Sequence, residues 1–302
     1  MGRSSCVRPL TGPLIGPFLC ALAAGCAQVL GIPDRSLAWC QQPAQASHAF
    51  CEDFDHANPT ADWSSAPTSP SGTSRTFVPS DDGTPNVYAM DTLVDPLPVG
   101  TSNFAGLEQS FTSQVFGQVT VGVDVRVTSF GFMTDPTTQL STGAGFLLLS
   151  DVVTESAMGP SECIGLSLIP VSDQQVGIAV ILVPNSGDCL TVGNLMPDAG
   201  TPPASDDAGA ASMADVPTPS PLANVFYDQW FRLKMTVTRM GDGSGTIDFR
   251  VPSASSMPPP TIPAGSLSQG YPSLAIGTDV TGPSGNVEIQ FDNVTVDFAA
   301  SP

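Results

Sequence analysis

The strongest constraint on the fold is a strict alternation of apolar and polar residues over positions 119–127. Valine occupies every odd position of this segment, and Thr, Gly, Asp and Arg occupy the even ones. Successive side chains of a β-strand point to opposite faces, so the pattern predicts a strand with one buried and one polar face. The segment 231–238 repeats it with Phe, Leu, Met and Val against Arg, Lys and Thr.

Short runs rich in Val, Ile, Leu, Phe and Thr recur from Phe50 onward, separated by Gly, Pro, Asn, Asp and Ser, and none has a convincing helical period. Further candidate strands are 76–78, 86–92, 107–111, 145–150, 164–169, 176–183, 246–251, 273–277 and 287–298. Many strands without helices predict an all-β fold of two antiparallel sheets packed as a sandwich.

The last of these strands changes its alternation. Apolar residues fall on odd positions as far as Phe291 and on even positions from Val294, so the pattern slips at Asp292-Asn293. A one-residue slip would turn the second half inside out unless an extra residue is absorbed. We therefore predict a β-bulge at Asp292-Asn293.

The first 25 residues are typical of a processing signal. Arg3 and Arg8 precede an apolar run over 14–24 that is too short to span a bilayer. The run ends in Leu-Ala-Ala-Gly-Cys, which resembles the lipobox of bacterial lipoproteins, where the cysteine thiol takes a diacylglycerol. The resemblance implies an exported protein anchored in the cell envelope by lipid on Cys26. The alternative is an ordinary secretory signal, with Cys26 incidental.

Three regions follow from this interpretation: a signal peptide over 1–25, a tether over 26–48 and a sandwich domain over 49–299. Ala27 lacks the aspartate that retains lipoproteins on the inner membrane in some bacteria, which favours the outer membrane. Within the domain, the segment 194–224 holds six prolines among Ala, Asp, Ser and Gly. Such a segment has little to bury, so we expect a disordered insertion there.

The chain is strongly acidic, with a formal net charge of −19. The leader removes two of the nine basic residues and none of the 28 acidic ones, which leaves −21. This excess argues against nucleic acid or anionic headgroups as partners. It suits Ca²⁺, although an acidic surface ordinarily serves solubility.

Four of the seven cysteines remain after the leader and the lipidated position are set aside: Cys40, Cys51, Cys163 and Cys189. An even number in an oxidising compartment predicts two disulfides. Three connectivities are open, and chain proximity favours Cys40 with Cys51 and Cys163 with Cys189. The absence of a Cys-x-x-Cys motif argues against a metal site built from them.

Three short motifs resemble concanavalin A-like jelly rolls, the superfamily of laminarinase-type glucanases and legume-type lectins. They are Phe-Cys-Glu-Asp-Phe-Asp at 50–55, Trp-Phe-Arg-Leu at 230–233 and Phe-Asp-Asn-Val-Thr-Val at 291–296. The resemblance implies a jelly-roll sandwich whose first and last strands lie side by side. It also implies a structural calcium site in which Asp292 is joined by Glu52 or Asp53. Alternatively, Asp292 only bonds to backbone amides in the bulge.

The catalytic pattern of the glucanases is missing. Their two glutamates stand on one strand as Glu-x-Asp-x-x-Glu or similar, and no such pair occurs in the mature chain. The strand that most resembles the catalytic one carries Asp124 and Arg126 on its polar face, a pair expected to neutralise itself. No nucleophile elbow, zinc-protease helix or phosphate loop is present either.

Aromatic residues at the rim of a sheet are the usual platform for sugar rings. The candidates are Trp63, Tyr227 and Trp230, followed by Tyr88 and Tyr271. Each of them also suits a role in the core.

These observations predict an envelope-anchored lipoprotein whose jelly-roll domain binds carbohydrate or another envelope protein without catalysis. One alternative is a glycan-active hydrolase or lyase with unusual acids, such as Asp124 with Glu108 or Glu288. The other is a purely structural envelope or adhesion protein.

Overall fold

The computed structural model describes residues 39–79, 88–115, 117–137, 141–152, 162–184, 221–251, 261–262, 264, 267 and 270–300. The chain divides into two units, Met1–Ala46 and Ser47–Pro302. The described part of the first unit contains a short 3-10 helix, Trp39–Gln41. The described part of the second unit is built from β-strands joined by turns and loops.

The strands of the second unit have the following bounds. In chain order they are β1 (Phe50–Glu52), β2 (Thr73–Pro79), β3 (Tyr88–Val94), β4 (Ser102–Ser110), β5 (Gln118–Phe132), β6 (Gly143–Val152), β7 (Glu162–Ser172), β8 (Gln175–Pro184), β9 (Ala223–Phe226), β10 (Phe231–Arg239), β11 (Gly245–Arg250), β12 (Thr261–Ile262), β13 (Tyr271–Thr281) and β14 (Ser284–Ala299). Every strand predicted from the sequence overlaps one of them. The strands β1, β9 and β12, of two to four residues each, are not among the predicted strands.

The strands form two antiparallel sheets packed face to face as a jelly-roll sandwich, which confirms the predicted fold class. The eight-stranded sheet has the order β12-β11-β10-β5-β14-β3-β2, and β1 pairs with β14 beyond the end of β3. The six-stranded sheet has the order β4-β13-β6-β7-β8-β9. The first and last strands therefore lie side by side, as the family resemblance implies.

The core lies between the two sheets and is built from the apolar half of each alternating strand. The odd-numbered valines of β5 are fully buried, and Leu233, Met235 and Val237 of β10 lie beside them. Residues such as Leu149 and Ile276 of the six-stranded sheet join the same cluster. The eight-stranded sheet turns its other residues outward, whereas Leu148, Cys163 and Ala275 form a second buried cluster on the six-stranded sheet.

The predicted bulge in β14 is confirmed. Asp292 pairs with Asp124 of β5, and Thr295 pairs with Gly122, so β14 advances by three residues while β5 advances by two. Asn293 absorbs the extra residue with a φ of 49°. Asparagine tolerates this left-handed conformation better than most residues. The bulge explains why the apolar positions change from odd to even along one strand.

The predicted disulfide between Cys40 and Cys51 is confirmed. Cys163 is also disulfide-bonded, at the open end of the predicted β7–β8 hairpin. Its expected partner Cys189 lies outside the described residues, as do Cys26, the leader and most of the insertion predicted over 194–224. No helix in the described part of the chain is long and apolar enough to cross a membrane.

Candidate functional site

The outer face of the eight-stranded sheet carries a row of polar side chains across three neighbouring strands. Gln290 on β14 pairs with Asp91 on β3 and with Arg126 on β5. Their strand neighbours, such as Ile289, belong to the core, so alternation turns these three residues outward. Glu288 stands two positions from Gln290 on the same side. We call Asp91, Arg126, Glu288 and Gln290 the polar face.

Two carboxyls of the polar face lie in hydrogen-bonding contact. Partial burial raises the pKa of Glu288, the negative charge of Asp91 and the hydrogen bond to it raise that pKa further, and a hydrogen bond with Thr128 lowers it. Oδ1 of Asp91 is buried without a hydrogen-bond partner among the described residues. Two carboxyls in contact are more stable when they share a proton, so Glu288 keeps its proton to a higher pH than an ordinary glutamate.

A cation and an aromatic ring border this carboxyl pair. Nη2 of Arg126 lies 3.5 Å from Oδ1 of Asp228, in the connection that precedes β10. Phe231 pairs with Val125 of β5, and Trp230 directly precedes this first paired residue of β10. Trp230 is half-buried, whereas Asp228 is exposed. The polar face thus combines acceptors, donors and a partly exposed indole.

The structure separates the predicted sugar-stacking residues. Trp63 is buried at 6% exposure, stacked on Phe54 and in edge contact with Phe50. It therefore offers no open ring face, and its predicted role as a sugar platform is wrong. Tyr227 is half-buried and packs against the core. Trp230 is half-buried and directly precedes β10, the strand next to β5 and its Arg126.

The predicted site at Asp292 lies on β14, two residues beyond Gln290. Asp292 is buried, and its Oδ1 accepts a hydrogen bond from the amide of Asn293 at 2.7 Å. Burial is the largest cause that raises the pKa of Asp292 to about 8, and the nearby carboxylates of Asp124, Asp55 and Asp53 raise it further. The sequence analysis missed Asp55 and Asp124 as neighbours of this carboxyl.

An arginine crosses the outside of the bulge. Nη1 of Arg232 donates to the carbonyl of Asn293 at 2.5 Å and lies 3.3 Å from Oδ1 of Asp124. Gly122 makes this path available, because a Cβ there would lie 2.6 Å from Nη2 of Arg232 and 2.7 Å from Oγ1 of Thr295. Asp124 is therefore neutralised by Arg232 on the adjacent strand. The expected pairing of Asp124 with Arg126 is wrong, since Arg126 faces Asp228 instead.

Strand β1 brings Glu52 and Asp53 to the edge of β14, where Glu52 pairs with Val294. Asp53 is one of the carboxylates that raise the pKa of Asp292. Glu52 has different partners: Oε1 accepts from the amide of Phe54 at 2.7 Å, and both carboxylate oxygens contact the ring of His56.

The acid pairs suggested for catalysis are not brought together. Asp124 lies on the outer face of the eight-stranded sheet, whereas Glu108 follows the buried Leu107 on the outer face of the other sheet. Glu288 stands four positions along β14 from the partner of Asp124, which corresponds to roughly 13 Å along a strand. Glycosidase carboxyls are about 5 to 9.5 Å apart, so neither pair fits that chemistry.

One buried acid has no counterpart in the sequence analysis. Asp279 of β13 is 5% exposed and lines a small cavity with Gly145, Ser167 and Thr281. Its Oδ1 has no hydrogen-bond partner among the described residues, and burial raises its pKa well above the usual range. In the sequence, Asp279 is the one charged residue of the largely apolar segment 274–280, and this position indicates a buried acid.

No protein-family model and no curated protein matches the sequence. Among solved structures, the chain is similar to an endo-β-1,4-glucuronan lyase from the fungus Trichoderma reesei, with 13% identity, a TM-score of 0.49, and coverage of 84% of this chain and 96% of that one. An alginate lyase from Klebsiella pneumoniae has 12% identity and a TM-score of 0.43, with coverage of 74% and 84%. The alginate lyase Aly36B has 8% identity and a TM-score of 0.42, with coverage of 84% and 98%. These values assign no activity or substrate to this chain.

Proposed function

We propose that the sandwich domain binds glycans on the polar face of its eight-stranded sheet. The observation that carries the proposal is the contact between Asp91 and Glu288, set beside Gln290 and Arg126 on adjacent strands. Sugar hydroxyls both donate and accept hydrogen bonds. Carboxyl, amide and guanidinium groups in one row satisfy both needs, and the partly exposed Trp230 supplies an apolar ring for the C-H face of a sugar.

The charge of this surface indicates the class of glycan. Asp91, Glu288 and Asp228 place three carboxyls around a single guanidinium, Arg126, and the whole chain carries −19. Negatively charged polysaccharides such as uronates would meet repulsion here. We therefore expect neutral or amino-sugar glycans as ligands.

A glycan array with the purified chain tests the proposal. Gln290→Ala and Trp230→Ala should each weaken binding to the same neutral glycans, since one removes a donor and acceptor and the other removes the ring. Glu108→Gln is the matched control, because Glu108 is a half-buried carboxyl on the opposite sheet. Wild-type binding by both polar-face variants would refute the proposal, as would an array without any ligand.

Glycan cleavage is the second candidate, and the raised pKa of Glu288 favours it. A carboxyl that keeps its proton to a higher pH than an ordinary glutamate is better suited to act as a general acid. Retaining glycosidases use two carboxyls roughly 5 to 5.5 Å apart, and Asp91 is the acid that would have to take the second role beside Glu288. Release of new chain ends by the wild type, lost in Glu288→Gln while binding persists, would establish an enzyme. Binding without new ends would leave a binding domain.

A calcium ion at the bulge is a further part of the proposed function. Three carboxylates, those of Asp124, Asp55 and Asp53, lie near Asp292, and a divalent cation would relieve the burial and repulsion that raise its pKa. Arg232 already holds Asp124 and the Asn293 carbonyl. The acids that remain for the ion are Asp292, Asp53 and Asp55, whose oxygens do not all lie within 4.8 Å of one another and would have to move closer on binding, whereas Glu52 is engaged by His56.

The proposal places this domain in the cell envelope, held by lipid on Cys26. Its support is the lipobox resemblance at 22–26 together with the disulfide-bonded cysteines, which fit an oxidising compartment. An outer-membrane location and contact with envelope glycans follow from the same proposal.

A further inference from the structure

The loop between β1 and β2 brings together three metal-ligating side chains. Glu52, His56 and Asp62 each offer one ligand atom, and these atoms all lie within 4.8 Å of one another. Nε2 of His56 is 3.0 Å from Oε1 and 3.2 Å from Oε2 of Glu52. In the part of the chain that the structure describes, no other group of His, Cys, Asp and Glu meets this condition.

We propose that Glu52, His56 and Asp62 bind a divalent transition metal ion of the Zn²⁺ class. One imidazole nitrogen and two carboxylate oxygens are ligands that Zn²⁺ accepts in a tetrahedral site, with water in the fourth position. Calcium takes six to eight oxygen ligands, so an imidazole argues against it here. Two carboxylates and a neutral imidazole also balance the charge of a divalent ion.

The chain segments that carry Glu52 and Asp62 are ordered before any ion binds. Phe54 and Trp63 stack with ring centroids 6.4 Å apart and planes 11° apart, which closes the base of the loop. Asp62 directly precedes Trp63, and Glu52 ends β1, where it pairs with Val294 of β14. The ordering of both chain segments is thus supplied by the sheet and the aromatic core, which favours binding.

The dimensions allow an ion with small side-chain movements. Bonds of about 2.0 to 2.2 Å at tetrahedral angles separate neighbouring ligand atoms by roughly 3.2 to 3.6 Å. Glu52 and His56 are already at that separation, and the remaining pairs must close by no more than about 1.6 Å. The side chain of Glu52 is fully buried, but His56 and Asp62 are exposed and free to rotate into position.

A simple ion pair explains less of this arrangement. It would account for the contact of Glu52 with His56, but not for the approach of Asp62 to both. The second histidine shows such a pair: Nδ1 of His48 lies 2.8 Å from Oδ2 of Asp297, and within the described ranges His48 belongs to no three-ligand group. His48 is therefore a matched control.

The test uses the full chain, purified without a polyhistidine tag and stripped of metal with a chelator. Titration with Co²⁺ should give one bound ion per chain, with the visible ligand-field absorption of a four-coordinate N/O site, and Zn²⁺ should displace it. His56→Gln and Asp62→Asn should each weaken Zn²⁺ binding at least about tenfold, since loss of even an outer-shell partner costs 10- to 100-fold. Both side chains are exposed, so both variants should fold.

His48→Gln should keep the affinity of the wild type. The proposal is overturned if the stripped chain binds no Co²⁺ or Zn²⁺, or if His56→Gln binds Zn²⁺ as the wild type does. Equal losses in His48→Gln and His56→Gln would also overturn it, because they would indicate diffuse binding to an acidic surface. Displacement of Co²⁺ by Ca²⁺ but not by Zn²⁺ would assign the ligands to calcium instead.

Discussion

At the scale of single residues, the fold contains several acids whose charged forms are made unfavourable by burial. Asp292 and Asp279 are buried within strands, and Glu288 is partly buried in contact with a second carboxyl. In each case burial is the largest cause of the raised pKa. Asp292 has the added repulsion of three carboxylates, so its protonation should be visible in the stability of the fold.

We expect the stability of the metal-free protein to fall as the pH rises from about 4 to about 8. In this window the folded chain keeps a proton on Asp292, whose pKa is about 8, while the unfolded chain has released it. Unfolding therefore releases a proton and becomes easier at higher pH. Asp292→Asn should remove this component and be more stable than the wild type at pH 8, by on the order of a few kcal/mol. Thermal unfolding against pH in chelator measures both.

The same two proteins decide the calcium proposal. Excess Ca²⁺ at pH 8 should raise the Tm of the wild type by mass action and leave Asp292→Asn unchanged. Asp248→Asn, which alters an exposed carboxyl paired with Arg250, should respond as the wild type does. A wild-type Tm indifferent to chelator would leave Asp292 as a hydrogen-bond acceptor for the Asn293 amide alone.

At the scale of strands, the local alternation of apolar and polar residues predicted most of the fold. It located the long strands and the bulge because both are properties of one strand and its buried side. The contact of Asp91 with Glu288 depends on how β3 pairs with β14, and nothing local specifies that partner or register. The burial of Trp63 arises from the closed loop that stacks it on Phe54, which is again a distant packing event.

The bulge offers a test at this scale. Asn293 has a φ of 49°, so Asn293→Val should be strongly destabilising, by roughly 1 to 2 kcal/mol for the backbone conformation and more for the lost side-chain bond to Asp124. Asn293→Gly should lose only the side-chain term, because glycine adopts this conformation readily. Urea unfolding of both variants gives the difference. Asn286→Val, on an exposed position of the same strand, is the control; equal losses in the Val and Gly variants of Asn293 would show that the conformation is not strained.

At the scale of the whole molecule, the chain combines a β-sandwich with an acidic charge and an N-terminal segment for which we propose a role in export. The outer faces differ in character: the eight-stranded sheet carries the polar face, and the six-stranded sheet encloses the cavity at Asp279. The lipid proposed at Cys26 would keep the sandwich domain near its ligand and raise the effective concentration of both.

Cys26→Ser tests the attachment. The thiol is the group that takes the diacylglycerol in lipoproteins, and a serine hydroxyl does not replace it, so the variant should accumulate as a precursor with its leader or as a water-soluble chain. The wild type should enter the detergent phase of a Triton X-114 separation, and its mature N-terminus should be blocked. Cys6→Ser and Cys20→Ser lie in the same leader and should behave as the wild type.

If the wild type stays in the aqueous phase, or if Cys26→Ser enters the detergent phase as the wild type does, the lipid anchor is wrong. An aqueous wild type with a free N-terminus at Cys26 or Gly25 would instead identify an ordinary secretory signal, and the domain would then act as a diffusible protein.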